Sequence, residues 1–172
     1  MKLKPLSISD MEPIRNWRNE QLSMLRTSFP LTREMQEDFY HNVVSNRSAN
    51  ARYWGIHDNE KLIGMAGIEN IQHENRLGEI SLLLIPNTMD KYGEEALSLI
   101  LHEGFMNLNL ENIFTEAYVS SPYSAFWTEQ EKKRKAGISL LPNRKYYSGK
   151  YLGSWYINFN KGDFLNNENI IS

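Results

Sequence analysis

Residues 78–85, GEISLLLI, are followed by the break PNTMDKYG at 86–93 and by EEALSLILHEGF at 94–105. The first stretch is a nearly continuous apolar run, which predicts a strand that is covered on both faces and lies at the centre of a sheet. The break ends this strand. In the last stretch, apolar residues recur at helical spacing, so we expect a helix packed on the central strand from about Glu94 to Leu108.

The segments on either side complete the sheet. Before the central strand, the pattern predicts a short strand at 3–6, two helices that end near Leu25 and Val44, and a hairpin with strands at 53–56 and 62–68. After it we expect a strand at 112–119, a helix that starts at Ser121 and stops near Gly137, and a hairpin that turns at Ser148-Gly149. The predicted order is βααβββαβαββ, a single-domain α/β (α+β) fold with a mixed sheet flanked by helices. The domain spans residues 1–160, and the polar tail at 161–172 should fray.

Composition narrows the classes of function. The chain has 172 residues, 41% of them hydrophobic, and a net charge of −2, so no global basic field favours a nucleic-acid partner. The absence of cysteine excludes thiolate nucleophiles, disulfides and Cys-ligated metals. The four histidines show no metal-ligand spacing, so we predict no metal site. No segment has the apolar core of a signal peptide or membrane span, and we expect a soluble, cytoplasmic protein without a membrane partner.

Three stretches in the right order resemble one family. The first helix contains IRNWRN at 14–19, the central region runs from GEIS at 78–81 to YGEEA at 92–96, and the closing hairpin contains YSGKY at 147–151. Together they resemble the GNAT superfamily of acyl-CoA-dependent N-acyltransferases, and within it the branch that acetylates ribosomal-protein N-termini and amino-sugars. The resemblance covers about residues 2–159. It implies a GNAT-like, mostly antiparallel sheet, acetyl-CoA as co-substrate, and a small-molecule or peptide amine as acceptor.

The break after the central strand is the expected site for the pyrophosphate of acetyl-CoA, because backbone N–H groups and the dipole at a helix start favour anions. The family pattern here is Gln/Arg-x-x-Gly-x-Gly/Ala, and placing Gly93 at its last position puts Thr88 and Lys91 at the first two. An ordinary acidic helix start is the alternative. The residues that the resemblance assigns to acyl-CoA binding are Leu83, Leu84, Ile85, Thr88, Asp90, Lys91, Tyr92, Gly93, Glu94 and Ser121.

Acetyl transfer to an amine needs a base for the amine proton and donors for the developing oxyanion. The candidate base is Glu79 on the central strand, with Glu69 and Glu116 on neighbouring strands as reserves. A strand-end carboxylate in water is the alternative for Glu79. The resemblance implies that backbone groups around Leu83 and Leu84 supply the oxyanion donors.

The leaving thiolate needs an acid, and the family supplies it from the segment after the fifth main strand. Here Tyr123 or Ser124 are the candidates, acting through a water, while Trp127 is expected in the core. Departure of the thiolate without a dedicated acid, which the resembling branch often allows, is the alternative. On the acceptor side, the resemblance places Arg15, Trp17 and Arg18 on the helix that borders the acceptor pocket. Packing in the core is the alternative for Trp17.

A basic cluster comprises EKKRK at 131–135 with Arg144, Lys145 and Lys150. We expect a solvated face, with the 3′-phosphate of CoA, a nucleotide-linked sugar or a nucleic acid as the alternative partners. The sequence thus predicts an N-acetyltransferase that moves acetyl from acetyl-CoA to a primary amine, with a protein N-terminus or an amino-sugar favoured as acceptor. The alternative is a catalytically inactive GNAT-like module that binds an acidic or nucleic-acid partner. A homodimer is compatible with the sequence.

Overall fold

A computed structural model of the chain describes residues 1–27 and 29–168. The strands are β1 (Lys2–Lys4), β2 (Arg52–Asp58), β3 (Lys61–Gln72), β4 (Leu77–Leu84), β5 (Asn112–Tyr118), β6 (Gly137–Tyr147) and β7 (Lys150–Asn160). The helices are α1 (Met11–Glu20), α2 (Arg33–Phe39), α3 (Met89–His102), α4 (Ser124–Thr128), α5 (Gln130–Arg134) and α6 (Lys161–Glu168). The strands form one sheet in the order β1-β2-β3-β4-β5-β7-β6, antiparallel except for the β4–β5 pair. This confirms the predicted mixed, mostly antiparallel sheet with the GEISLLLI strand at its centre.

Side chains of β4 alternate between two separate hydrophobic clusters. Ile80, Leu82 and Leu84 face the main core under α3, whereas Leu83 joins the cluster under α1. Because successive side chains of a strand point to opposite faces, Glu79 and Ser81 lie on the α1 side with Leu83. The apolar run is therefore buried on both faces, as expected, and its one carboxylate is directed toward the α1 side.

The helix after the central strand starts earlier than predicted. We expected it from Glu94, but α3 begins at Met89, so Gly93 lies inside the helix rather than in the preceding turn. An ideal Cβ on Gly93 would lie 2.9 Å from the Phe126 ring and 2.7 Å from the Met89 sulfur. The prediction that Gly93 is a turn residue is therefore wrong. Position 93 requires a glycine because α4 packs closely against it, and the local sequence does not reveal this contact.

The C-terminal part contains two further corrections. The predicted hairpin turns at Ser148 and Gly149, which both have positive φ, but β6 already begins at Gly137, the residue expected to stop the preceding helix. Lys135, in the left-handed conformation, ends α5 instead. The expected fraying of the tail is wrong for residues 161–168, because Phe164 of α6 is buried and packs on Phe105 with ring centres 5.2 Å apart. Residues 169–172 lie outside the described residues.

Within residues 1–27 and 29–168, no helix is both long and apolar enough to cross a bilayer.

We predict that Gly64→Ala lowers the free energy of unfolding by about 1–3 kcal/mol, because overpacking against backbone cannot be relieved by a rotamer change. Gly64 pairs with Leu84, and an ideal Cβ would lie 2.5 Å from the Leu83 carbonyl oxygen. Urea denaturation provides the measurement. Gly137→Ala is the matched control, since its nearest neighbour, the Asn158 carbonyl oxygen, is 4.0 Å away. Equal stability of the two variants would contradict the prediction.

Candidate functional site

A gap opens where β4 and β5 separate. The two strands pair only through Leu77–Asn112, Gly78–Ile113 and Glu79–Phe114. Beyond Glu79, β4 stays paired with β3 and β5 stays paired with β7. The facing edges of β4 and β5 therefore have no hydrogen-bond ladder between them, and backbone groups of β4 are left to bind something other than a strand.

The gap widens into a cleft of about 340 Å³. Its floor is the separated part of β4, residues 80–84. Arg18 and Gln21 at the end of α1 and the loop at 25–27 form one wall. Ser121, Tyr123 and Trp127 form the other. The cleft thus lies between the helix expected to border the acceptor and the segment expected to supply an acid.

Glu79 lies at the start of this gap and is only 4% exposed. Its carboxylate accepts hydrogen bonds from the Arg26 guanidinium and from Asn70 Nδ2 at 2.9 Å. The alternative of a strand-end carboxylate in water is therefore wrong, because Glu79 is buried and charge-paired. Arg26 belongs to the loop after α1 and half of its side chain is exposed, so this pair lies at the mouth of the cleft.

Glu69 stands directly opposite Glu79 in the β3–β4 register. It accepts a hydrogen bond from the hydroxyl of Tyr53, whose ring lies over Gly67. Burial, followed by the negative charge of Glu69, strongly raises the pKa of the Tyr53 phenol. The Tyr53 hydroxyl therefore stays protonated and donates its hydrogen bond to the Glu69 carboxylate in the cleft wall.

Glu116 on β5 is the third carboxylate of the cleft. It accepts hydrogen bonds from Arg144 at 2.7 Å and from Ser154 Oγ at 2.8 Å. The Arg144 hydrogen bond lowers the pKa of the Glu116 carboxyl, and burial opposes this shift only in part. Glu116 is thus an ionised partner of Arg144 rather than an open acceptor of protons.

The three residues predicted to border the acceptor pocket take different positions in the structure, and one of them lines the cleft. Arg18 lines the cleft, and its Nε is buried without a hydrogen-bond partner among the described residues. Burial lowers the pKa of the Arg18 guanidinium, while the Tyr53 and Glu69 side chains act in the opposite direction. Arg15 instead pairs with Glu12 at 2.6 Å, outside the cleft lining, and Trp17 packs on the hydrophobic cluster under α1.

Residues predicted to bind the cofactor pyrophosphate surround the start of α3. Asp90 and Lys91 lie exposed in its first turn, and Lys91 Nζ is 4.6 Å from the centre of the Tyr92 ring. Thr88 occupies the N-cap position, but its hydroxyl donates to the Ile85 carbonyl at 2.7 Å instead of capping the helix. The N–H groups of this helix start thus lack a side-chain cap from Thr88, with a lysine beside them.

Glu94 carries an acidic charge into the same region, and the structure shows how it is balanced. Its carboxylate accepts hydrogen bonds from Lys133 at 2.7 Å, Gln130 at 3.0 Å and Arg134 at 3.2 Å, all from α5. Burial opposes ionisation, but these partners outweigh it and lower the pKa of the carboxyl. Two cations therefore surround one acid, so Glu94 does not make the start of α3 repel an anion.

The candidate acids after β5 also take different positions. Tyr123 lines the cleft, and its hydroxyl accepts a hydrogen bond from the Asn87 backbone N–H at 3.0 Å. Ser121, likewise in the cleft wall, accepts from the Tyr123 N–H at 3.2 Å. Ser124 lies outside the lining and accepts from Trp155 Nε1 at 3.0 Å. Tyr123 is therefore the candidate acid whose phenol reaches from the cleft to the β4–α3 loop.

The predicted backbone donors form part of the cleft floor. Leu83 and Leu84 line it, and the Leu84 carbonyl accepts a hydrogen bond from Gln21 Nε2 at 3.0 Å. Ile85 donates its N–H to the Ile63 carbonyl and lies beyond the lining. Gln21 thus fixes the end of α1 to the open edge of β4.

The basic cluster is largely engaged in internal contacts. Lys133 and Arg134 contact Glu94, and Arg144 contacts Glu116. Lys145 is 5% exposed, and its ammonium donates to the carbonyls of Leu22, Ser23 and Leu25. The expectation of a solvated face is wrong for Lys145, which is buried, and it holds for Lys133 and Arg144, which are exposed although they are ion-paired. The alternative of an acidic partner on this surface loses the four cations that are engaged internally.

Several residues of the site escaped the sequence analysis. They are Gln21, Arg26, Tyr53 and Asn70. Each of these side chains contacts a residue that is distant in sequence or lies on a neighbouring strand. Hydrophobic periodicity predicts local helices and strands, and it does not predict such contacts. The exception is Tyr53, whose position over Gly67 follows from the predicted hairpin once its register is assigned.

The residues present fit acetyl-CoA. The open edge of β4 offers backbone partners for an extended acyl-bearing arm, and the start of α3 with Lys91 and a neutralised Glu94 suits a pyrophosphate. In the described part of the chain, no group of three or more His, Asp or Glu side chains is placed to hold a metal ion.

Comparisons with known proteins agree with this geometry. A family model described as acetyltransferase (GNAT) domain matches residues 1–125. A search of curated proteins gave no significant match.

Among solved structures, spermidine N-acetyltransferase from Vibrio cholerae in complex with CoA and spermine superposes with a TM-score of 0.83 at 19% identity, covering 96% of this chain and 98% of that one. A dodecameric form of spermidine N-acetyltransferase from the same organism gives a TM-score of 0.79 at 19% identity, covering 96% of both chains. The chain therefore belongs to the GNAT acetyltransferase family and is an acyl-CoA-dependent N-acyltransferase with acetyl-CoA as its co-substrate.

Proposed function

We propose that this protein transfers an acetyl group from acetyl-CoA to a primary amine by direct attack, without a covalent enzyme intermediate. The observation that carries the proposal is the open edge of β4, which starts at the buried Glu79 and adjoins the start of α3. The absence of cysteine supports direct transfer, since no thiolate is available to accept the acyl group.

Glu79 is the base of the proposed mechanism. Acetyl-CoA supplies an acyl carbon activated as a thioester. The amine nitrogen forms a bond to this carbon while the carbon–sulfur bond breaks, and the amine proton passes to the Glu79 carboxylate. Glu79 can take this role when Arg26, whose side chain is half exposed, moves off the carboxylate as the acceptor enters.

Two further groups complete the chemistry. The backbone N–H of Leu84 donates to the carbonyl oxygen as it gains negative charge. The N–H of Leu83 points toward β3 instead, because Leu83 is in register with Met65 and hydrogen-bonded pairs alternate along the strand from Ile85–Ile63. Tyr123 donates its phenolic proton to the departing sulfur, either directly or through a water. In this scheme Ser124 has no chemical role, because its hydroxyl lies outside the cleft lining and binds Trp155.

The amine acceptor is proposed to be a protein N-terminus or an amino-sugar. The structural neighbours from Vibrio cholerae act on spermidine, so a polyamine is the other candidate. Against it, Glu116 stays paired with Arg144 in this scheme, and the Arg26 guanidinium released from Glu79 would be a cation close to an entering polycation. A cytoplasmic location and a homodimer stay predictions, and we predict that no metal takes part.

The hypothesis of an inactive binding module receives less support. It relied on a basic surface near the closing hairpin, and Lys133, Arg134, Arg144 and Lys145 are engaged with Glu94, Glu116 and backbone carbonyls. The lysines that this cluster still offers to a partner are Lys132, Lys135 and Lys150.

We predict that Lys91→Glu weakens acetyl-CoA binding by about 10-fold or more, because it places a second negative charge beside the pyrophosphate at the start of α3. Calorimetric titration with acetyl-CoA and with CoA measures the effect. Lys61→Glu, an exposed charge reversal at the start of β3, is the control. Equal affinities of the two variants would show that the start of α3 does not hold the phosphates.

We predict that Glu79→Gln lowers kcat by about 100-fold or more, because the amide cannot accept the amine proton. Binding of acetyl-CoA should stay within about twofold by calorimetry. Glu74→Gln, in the exposed turn between β3 and β4, serves as the control. A kcat within a few-fold of the unmodified protein in a folded Glu79→Gln sample would remove Glu79 from the mechanism.

A further inference from the structure

Arg18 is the charged group of the cleft that lacks a defined partner. Its Nε is buried and unpaired within the described part of the chain, although the residue lines the cleft. Leaving a buried guanidinium donor without an acceptor costs free energy, and natural proteins seldom keep such a group without a use. An arginine at the wall of a binding cleft whose Nε is buried and unpaired points to a ligand that supplies the acceptor.

The other charged groups of the cleft are already matched. Arg26 pairs with Glu79, and Arg144, from outside the lining, pairs with Glu116. Glu69 receives the Tyr53 hydroxyl, which satisfies one lone pair but cancels none of its charge. Among the described residues of the lining, Arg18 is then the arginine without a hydrogen-bonded carboxylate, and Glu69 keeps a negative charge that acts to raise the pKa of the Arg18 guanidinium.

We propose that the amine acceptor carries an anionic group, a carboxylate or a phosphate, which binds the Arg18 guanidinium while its amine reaches Glu79. This inference rests on the proposed function and assigns a substrate class to the same site. A carboxylate or phosphate can accept two parallel hydrogen bonds from a guanidinium, which is the geometry in which arginine outperforms lysine.

The same arrangement acts against a polycation. A polyamine would bring several ammonium groups next to a buried guanidinium, and in a partly desolvated site such like-charge contacts are costly. The cleft therefore selects acceptors by their charge. The anionic end of the acceptor is attracted to Arg18, and its amine end lies near the carboxylates. Both favoured acceptor classes include anionic members, such as amino-sugar phosphates and acidic peptides.

The experiment compares acceptors that differ in one charge. The phosphate pair is glucosamine 6-phosphate against glucosamine. The carboxylate pair is the dipeptide amide Ser-Glu against Ser-Gln, and spermidine is the polycation. The ratio of kcat/KM within each pair is measured for the unmodified protein, for Arg18→Met, and for the control Arg33→Met, whose exposed guanidinium pairs with Glu37 on α2.

We expect the anionic member of at least one pair to be preferred by about 10-fold or more, and the responsive pair identifies phosphate or carboxylate as the group. Arg18→Met should reduce this ratio to near one, Arg18→Lys should restore part of it, and Arg33→Met should leave it unchanged. Equal preference within both pairs, a preference for spermidine, or an equal loss for both members in Arg18→Met overturns the inference. The last result would show that Arg18 only supports the fold.

Calorimetry separates this inference from the proposed function. If no acceptor is acetylated, the proposed function fails, and titration of the CoA-saturated protein with glucosamine 6-phosphate and Ser-Glu amide then decides the role of Arg18. Binding that Arg18→Met weakens about 10-fold and Arg33→Met does not supports an anion site. Absence of binding, or binding insensitive to Arg18→Met, overturns it.

Discussion

The separation of β4 from β5 is the constraint on which the rest of the structure depends. Each strand is paired on its other side, β4 with β3 and β5 with β7. Among the described residues, the two halves of the sheet are joined by three backbone pairs before the gap and by a hydrogen bond from the Thr115 hydroxyl to the Ile80 carbonyl. Unpaired backbone groups in a protein interior are costly, and a fold keeps them only where another partner uses them. The cleft, its floor and the position of Glu79 at its start all follow from this interruption.

The alternation of β4 and its neighbours places the acids of the sheet on one face. Glu69, Glu79 and Glu116 come from three adjacent strands and all line the cleft. Three unpartnered carboxylates in such a space would repel one another, and each is instead provided with its own donor: Tyr53, Arg26 or Arg144. Arginines thus balance the charges of Glu79 and Glu116, whereas the Tyr53 hydroxyl leaves the charge of Glu69 in place. The selectivity of the cleft therefore depends on single side chains.

The sequence patterns predicted those features of the fold that depend on interactions between residues close in sequence. The GEISLLLI strand, the apolar stripe of α3 and the turn at Ser148-Gly149 follow from periodicity and turn chemistry. The start of α3 could not be predicted, because the reason for Gly93 is Phe126 on a different helix. Helix α6 was missed since it depends on one aromatic side chain, Phe164, in a polar segment. In the site, Glu79 and Tyr123 were accessible from their places in the strand order, whereas Arg26 and Lys145 act on groups more than fifty residues away.

The buried ammonium of Lys145 has a consequence for the order of assembly. It joins β6 to the turn after α1 across 123 residues, and Leu25, one of the three residues whose carbonyls it binds, lines the cleft. Contacts of such sequence separation form late, after loop-closure entropy has been overcome by other structure. During synthesis, the central strand and helices α1 to α5 precede β6, yet the acceptor wall acquires its anchor only when β6 has been made. The cleft is therefore completed only when almost the whole chain has been synthesised.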